Sequence, residues 1–110
     1  MFKLSRVVQE EVLNMRDYEV MYIVRTSVEE EARNELIERF NNILKENGAT
    51  VEKVDEMGSR RLAYEIDNER DGYYVVVNFK SDEQAVNEFD RHAKYSDDIL
   101  RHMIVRLDEN

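Results

Sequence analysis

Two adjacent arginines in an otherwise acidic chain are the residues best suited to chemistry. They lie in the run Ser59-Arg60-Arg61-Leu62-Ala63-Tyr64. A guanidinium is planar and permanently charged, and its fork matches a phosphate or carboxylate through parallel hydrogen bonds. Tyr64 adds a ring that can stack and a hydroxyl that can donate. Side chains alternate along a strand, so Arg60 and Arg61 point to opposite faces and one of them reaches any given ligand surface. Arg16, Lys80, Arg91, Lys94, Arg101 and Arg106 complete the cationic supply near strand ends and the second helix. The competing reading is an ordinary surface, its cations paired with some of the 25 carboxylates.

Catalysis finds little support. Ser27, Ser59, Ser81 and Ser96 sit in no nucleophile-elbow context. His92 and His102 lack the spacing of a metal pair or a triad and read as structural. The chain has no cysteine, which excludes disulfides, thiolate metal sites and a cysteine nucleophile. Its three glycines form no phosphate-cradling loop. Glu29-Glu30-Glu31 suits a helix start, where carboxylates favour the helix dipole. We therefore expect no enzyme: no catalytic residue, metal, cofactor or small-molecule substrate.

The 110 residues suffice for one domain with one core. Apolar runs are strand-sized, as in Tyr73 to Val77, and no membrane association is expected. The net charge of −9 opposes any nucleic-acid role at long range. A chain this acidic binds RNA only through a local basic patch or with a basic partner.

Those residues are positioned by six elements. Arg16 to Arg25 alternates as a strand. Ser27 with Glu30 predicts a capping box opening a helix, its stripe being Val28, Ala32, Leu36, Ile37, Phe40, Ile43 and Leu44. Asn47-Gly48 ends it. Ala49 to Ile66 reads as a long strand with a bulge or bend at Gly58. Asp67 to Gly72 reads as a polar turn leading into Tyr73 to Phe79, the second arm of a hairpin. Ser81 with Gln84 predicts a second capping box and helix, with Ala85, Phe89 and Ala93 buried. A last strand runs from Ile99 to Leu107. The order β-α-β-β-α-β predicts an α+β, ferredoxin-like sandwich: a four-stranded antiparallel sheet with two helices on one face.

The other sheet face then needs an explanation. Tyr18, Val20, Tyr22 and Val24 should face the helices, as should Tyr73, Val75, Val77 and Phe79. That leaves Met21, Ile23, Tyr74 and Val76 on the open face. The last strand is apolar on both sides, with Ile99, Met103, Val105 and Leu107 against Leu100, His102 and Ile104. An open face should be polar, so this set is read as a partner-facing surface.

The fold alone decides no function. An acylphosphatase-like hydrolase needs a glycine-flanked anion loop, which Val24-Arg25-Thr26-Ser27 does not supply. An RNA-recognition motif carries a glycine and aromatic pattern on the third strand, which Asp71-Gly72-Tyr73-Tyr74-Val75-Val76-Val77 matches only loosely, without its basic residues. A ligand-sensing or oligomerising regulatory domain of the same fold is the alternative function.

Four stretches resemble the bacterial small-subunit ribosomal protein S6 family. They are Met15-Arg16-Asp17-Tyr18-Glu19-Val20-Met21-Tyr22-Ile23-Val24, Gly58-Ser59-Arg60-Arg61-Leu62-Ala63-Tyr64-Glu65-Ile66, Asp71-Gly72-Tyr73-Tyr74 and Ser96-Asp97-Asp98-Ile99-Leu100-Arg101. The resemblance runs from Met15 to about Glu109, and the Arg-Arg-Leu-Ala-Tyr run is its most specific piece. It implies a structural constituent of the small ribosomal subunit in the cytoplasm. It also implies a heterodimer with the basic ribosomal protein S18 that binds the central domain of small-subunit ribosomal RNA. Such a partner would account for the acidic balance. Arg16, Arg60, Arg61 and Tyr64 match family motif positions and are the expected RNA or partner contacts.

Residues 1–14 precede the point where the resemblance starts, leaving residues 15–110 as the ferredoxin-like domain. One reading is a real extension, a helix capped at Ser5 with Leu4, Val8 and Val12 along one side. The favoured expectation is a misannotated start. Glu10-Glu11-Val12 can be encoded by a purine-rich ribosome-binding sequence, which places Met15 as the native initiator.

Overall fold

The computed structural model describes residues 15–107; both readings of residues 1–14 lie outside it. Its elements are β1 (Arg16–Arg25), α1 (Glu30–Glu46), β2 (Thr50–Ile66), β3 (Glu69–Ser81), α2 (Glu83–Lys94) and β4 (Ile99–Arg106). All the strand pairings are antiparallel, in the order β2-β3-β1-β4. The predicted order and sheet are present.

The core lies between the sheet and the two helices. Val20, Tyr22 and Val24 of β1 and Val75, Val77 and Phe79 of β3 are fully buried, and α1 and α2 cover them with Phe40, Leu44, Ala85 and Phe89. Ala32 of the predicted stripe is exposed, because the buried stripe starts only at Leu36. The rings of Phe40 and Phe89 lie 5.0 Å apart, and Tyr22 meets them at 6.0 and 5.7 Å. The Tyr22 hydroxyl finds no partner among the described residues, and burial, with Glu56 adding to it, pushes its phenol far above the usual value. A buried hydroxyl without a partner costs more than it contributes. Tyr22→Phe should therefore stabilise the fold by about 1 kcal/mol, as a rise in the urea midpoint at unchanged slope.

Both helix starts depart from the sequence reading. Glu29 stands at the cap of α1 without a side-chain bond, while Ser27 points to Glu69 at 3.5 Å. Residues 26–28 form a turn, closed by Val28 N–H donating to the Arg25 carbonyl at 3.2 Å. Asp82, not Ser81, caps α2, its carboxylate accepting from the Gln84 amide at 3.0 Å. Aspartate is as good a cap as serine, and Ser81 is buried at the end of β3.

Three local devices shape the sheet. Gly48 and Gly58 take φ of +91° and +87°, and the β2–β3 register slips between Glu56 and Gly58, as a bulge requires. The hairpin turn is tighter than expected. Asp67 and Asn68 alone form it, both at positive φ (49° and 66°), a type I′ turn. Asp71-Gly72 thus belongs to β3. In β4 a register shift opposite Ile23 and Val24 leaves Leu100 as the extra residue. Ile99 pairs with Val24 on the core side, so β4 does not keep one alternation as predicted: Ile99, His102 and Ile104 face the core.

His102 is a packing residue. Its ring lies 6.5 Å from that of Phe89, and Nε2 donates to Asp90 Oδ1 at 2.7 Å. That bond, helped by Lys94, holds the Asp90 carboxyl below the usual carboxylate range. A carboxyl depressed in the fold binds its proton more weakly there than in the unfolded chain. Its contribution is complete above the ordinary aspartate value of about 3.9 and is lost as pH falls through the folded value. Asp90→Asn should then lose less stability than the parent between about pH 4 and pH 2, compared by urea titrations across that window.

Candidate nucleic-acid and partner interface

The β2–β3 hairpin brings most of the predicted residues to one end of the sheet. Arg60 pairs with Gly72, which pairs in turn with Arg25 at the end of β1. Arg61 pairs with Asp71, so the two arginines take opposite faces. Arg60 shares the open face with Gly72 and Ile23, and Arg61 looks the other way. Tyr64 is 59% exposed, and the Arg101 guanidinium stands 5.3 Å above its ring, within cation–π range. β2 and β4 are opposite edges, so this contact spans the open face.

Ion pairing at this end is uneven. Arg25 takes Asp67 at 3.0 Å and Glu69 at 3.7 Å, and also donates to the Asp97 carbonyl at 2.6 Å. Arg70 takes Glu65 at 3.1 Å. Among the described residues Arg60, Arg61 and Arg101 make no ion pair, although acids outnumber bases 25 to 16 in the chain. The hairpin's own carboxylates are thus partly neutralised by Arg25 and Arg70. The ordinary salt-bridged surface weighed above does not describe these three arginines.

Arg16 lies elsewhere. It pairs with Ser81 at the start of β1, nine residues from Arg25, or about 30 Å along the strand at ~3.3 Å per residue. Its guanidinium donates to the Met15 carbonyl at 2.9 Å, beside a surface hollow of about 440 Å³ lined also by Tyr18, Asp82, Gln84 and Arg106. Arg60, Arg61 and Tyr64 share one end of the sheet, Arg61 on the opposite face from Arg60, and Arg16 is separate from them.

The open face between these ends carries the expected apolar residues, interrupted by Glu19, Asn78 and Asp55, with one correction. Met21, Tyr74 and Val76 are half-buried, and Met103, Val105 and Leu107 are exposed. Ile23 is only 6% exposed. Leu62 is also buried, and a Cβ on Gly72 would overlap the Ile23 side chain and crowd Leu62. Ile23 is thus covered on the open face by its own hairpin and offers little to a partner. Gly72 is there because nothing larger fits beneath Ile23. Gly72→Ala should cost about 1–3 kcal/mol through overpacking. Ile23→Ala in the same chain should return part of that loss, a coupling that a double-mutant cycle of urea midpoints measures.

The Ribosomal protein S6 family model matches residues 17–106. The chain belongs to the ribosomal protein S6 family. In the solved structure of 30S ribosomal protein S6 from Thermotoga maritima, 35% of the sequence is identical, with a TM-score of 0.81, covering 84% of this chain and 88% of that one. A Burkholderia cenocepacia chain assigned as an amidohydrolase/peptidase aligns at 15% identity and TM-score 0.36, over 84% of this chain and 27% of that one. That likeness carries no argument.

S6 family membership makes this a small-subunit ribosomal protein of a structural, non-enzymatic family. Among the described residues no His, Asp and Glu cluster suits a metal ion, and no helix is long and apolar enough to cross a membrane. Arg101 and Leu62 are the members of the surface that sequence reading passed over as site residues. Arg101 stood in the general cation supply, and nothing in its neighbours pairs it with Tyr64, 37 positions earlier.

Proposed function

We propose that this chain binds small-subunit ribosomal RNA, in its central domain, together with the basic ribosomal protein S18 as a heterodimer in the cytoplasm. The observation that carries the reading is Arg60 and Arg101 on the same sheet face as Tyr64, with Arg61 on the other face, all three without carboxylate partners among the described residues of an acidic chain. Unpaired guanidinium groups meet phosphate at little cost, because no existing ion pair must break. The exposed Met103, Val105 and Leu107, with Met21, Tyr74 and Val76 beside them, supply apolar area for a protein partner. Arg16 and Arg106, at the far end, belong to a second contact region in this reading.

Co-sedimentation tests it. The native protein should remain on the small subunit through a high-salt wash at about one copy per particle. Recovery in the soluble fraction, with a stable homodimer on sizing, would instead favour the regulatory-domain reading of the same fold.

A further inference from the structure

We infer that Tyr64, backed by Arg101, is a stacking platform for one unpaired base of ribosomal RNA, with Arg60 on the same sheet face placed to take an adjoining phosphate. This deepens the RNA-binding reading above and rests on it.

A ring serving the fold would be covered, yet Tyr64 is 59% exposed. Its contact is Arg101 at 5.3 Å, from the opposite edge of the sheet. Those edges are three strand spacings apart, about 14 Å at ~4.8 Å each, so both side chains must reach inward over the open face to meet. The guanidinium steadies one side of the ring, and the exposed remainder is available to a second planar group. A base offers such a π-face whatever its sequence, and aromatic rings and guanidinium planes are what single-stranded RNA stacks on. Paired bases in a duplex are already stacked, so the ligand is an unpaired one.

Charge selects RNA over a protein side chain here. Where the register places residues on this end of the open face it finds Ile23, Arg25, Gly58, Arg60, Gly72 and Tyr74, with no carboxylate. The nearby acids Asp67 and Glu69 are held by Arg25, and Glu65, next to Tyr64 in the chain, is held by Arg70. A protein anchor has a better seat further along the face, on the exposed Met103, Val105 and Leu107.

The test uses small subunits depleted of their own copy, titrated with the full chain and its variants. Tyr64→Ala should weaken binding by about 5- to 150-fold, the range for loss of one base–aromatic stack, while Tyr64→Phe should stay within about threefold. Arg101→Ala should weaken binding too. Ultraviolet irradiation of the assembled particle should leave a nucleotide adduct on Tyr64. Circular dichroism checks that each variant is folded. Unchanged affinity for Tyr64→Ala, equal losses for Ala and Phe, or a Tyr64 cross-link to a polypeptide would each overturn the platform while leaving the ribosomal reading standing. Failure of the unmodified chain to bind at all would overturn both.

Discussion

Phe89→Ala is expected to lower the unfolding free energy by about 3–5 kcal/mol, the largest single-site loss in the fold. Phe89 is fully buried on α2 and meets three rings, those of Phe40 on α1, Tyr22 on β1 and His102 on β4. Removing it opens a cavity where both helices and two strands meet. The lost transfer energy and the cavity then add. A domain of this size has only about 5–15 kcal/mol to lose, so the variant should unfold at a much lower urea concentration. Phe89→Leu, which keeps most of the volume, should cost less than half as much. A loss under about 1 kcal/mol for the alanine variant would mean that the helices do not pack on the sheet as described. The expected gain from Tyr22→Phe, one contact away, makes a useful control of opposite sign.

What the sequence revealed, and what it hid, divides along the range of the forces involved. Periodicity exposes burial, so the six elements and the buried faces of β1 and β3 were legible from apolar spacing alone. Devices that depend on a neighbour in space were not. Asp71-Gly72 carries an ordinary turn signal, yet Gly72 is required by Ile23, about 50 positions earlier, while Asp67-Asn68 makes the turn. The serine caps failed because Ser27 and Ser81 each sit beside an acidic residue or a buried strand end that the short pattern does not weigh. In β4 one extra residue, Leu100, reverses the facing of Ile99, and apolar residues on both sides gave no hint of the slip. The candidate site shows the same divide. The Arg60-Arg61 run was visible as a local cluster, and so was its split across two faces. That Arg25 and Arg70 would bind the hairpin's acids, leaving Arg60 and Arg61 unpaired, is a consequence of the tight turn. The separation of Arg16 followed only once the strand register was known.

Replacing Arg60 and Arg61 together with alanine should weaken the complex with the small subunit by about 10- to 150-fold, with the fold largely intact. The estimate follows from about 1.5–3 kcal/mol for one charge-assisted hydrogen bond lost, because the two arginines face opposite ways and one of them reaches a given ligand surface. Little stability should go with them, because both side chains are exposed and neither holds an ion pair among the described residues. The single variants carry more information than the double. Arg60 shares the open face with Tyr64 and Arg101, whereas Arg61 lies opposite Asp71 on the other side. If RNA lies against the open face, Arg60→Ala should account for most of the loss. It should also lower the slope of log affinity against log salt by about one, the mark of one phosphate contact removed. An arginine that touches the basic partner protein instead would change affinity without that change in slope. Unchanged affinity in the double variant would reject the role assigned to this hairpin and move attention to the Arg16 and Arg106 end.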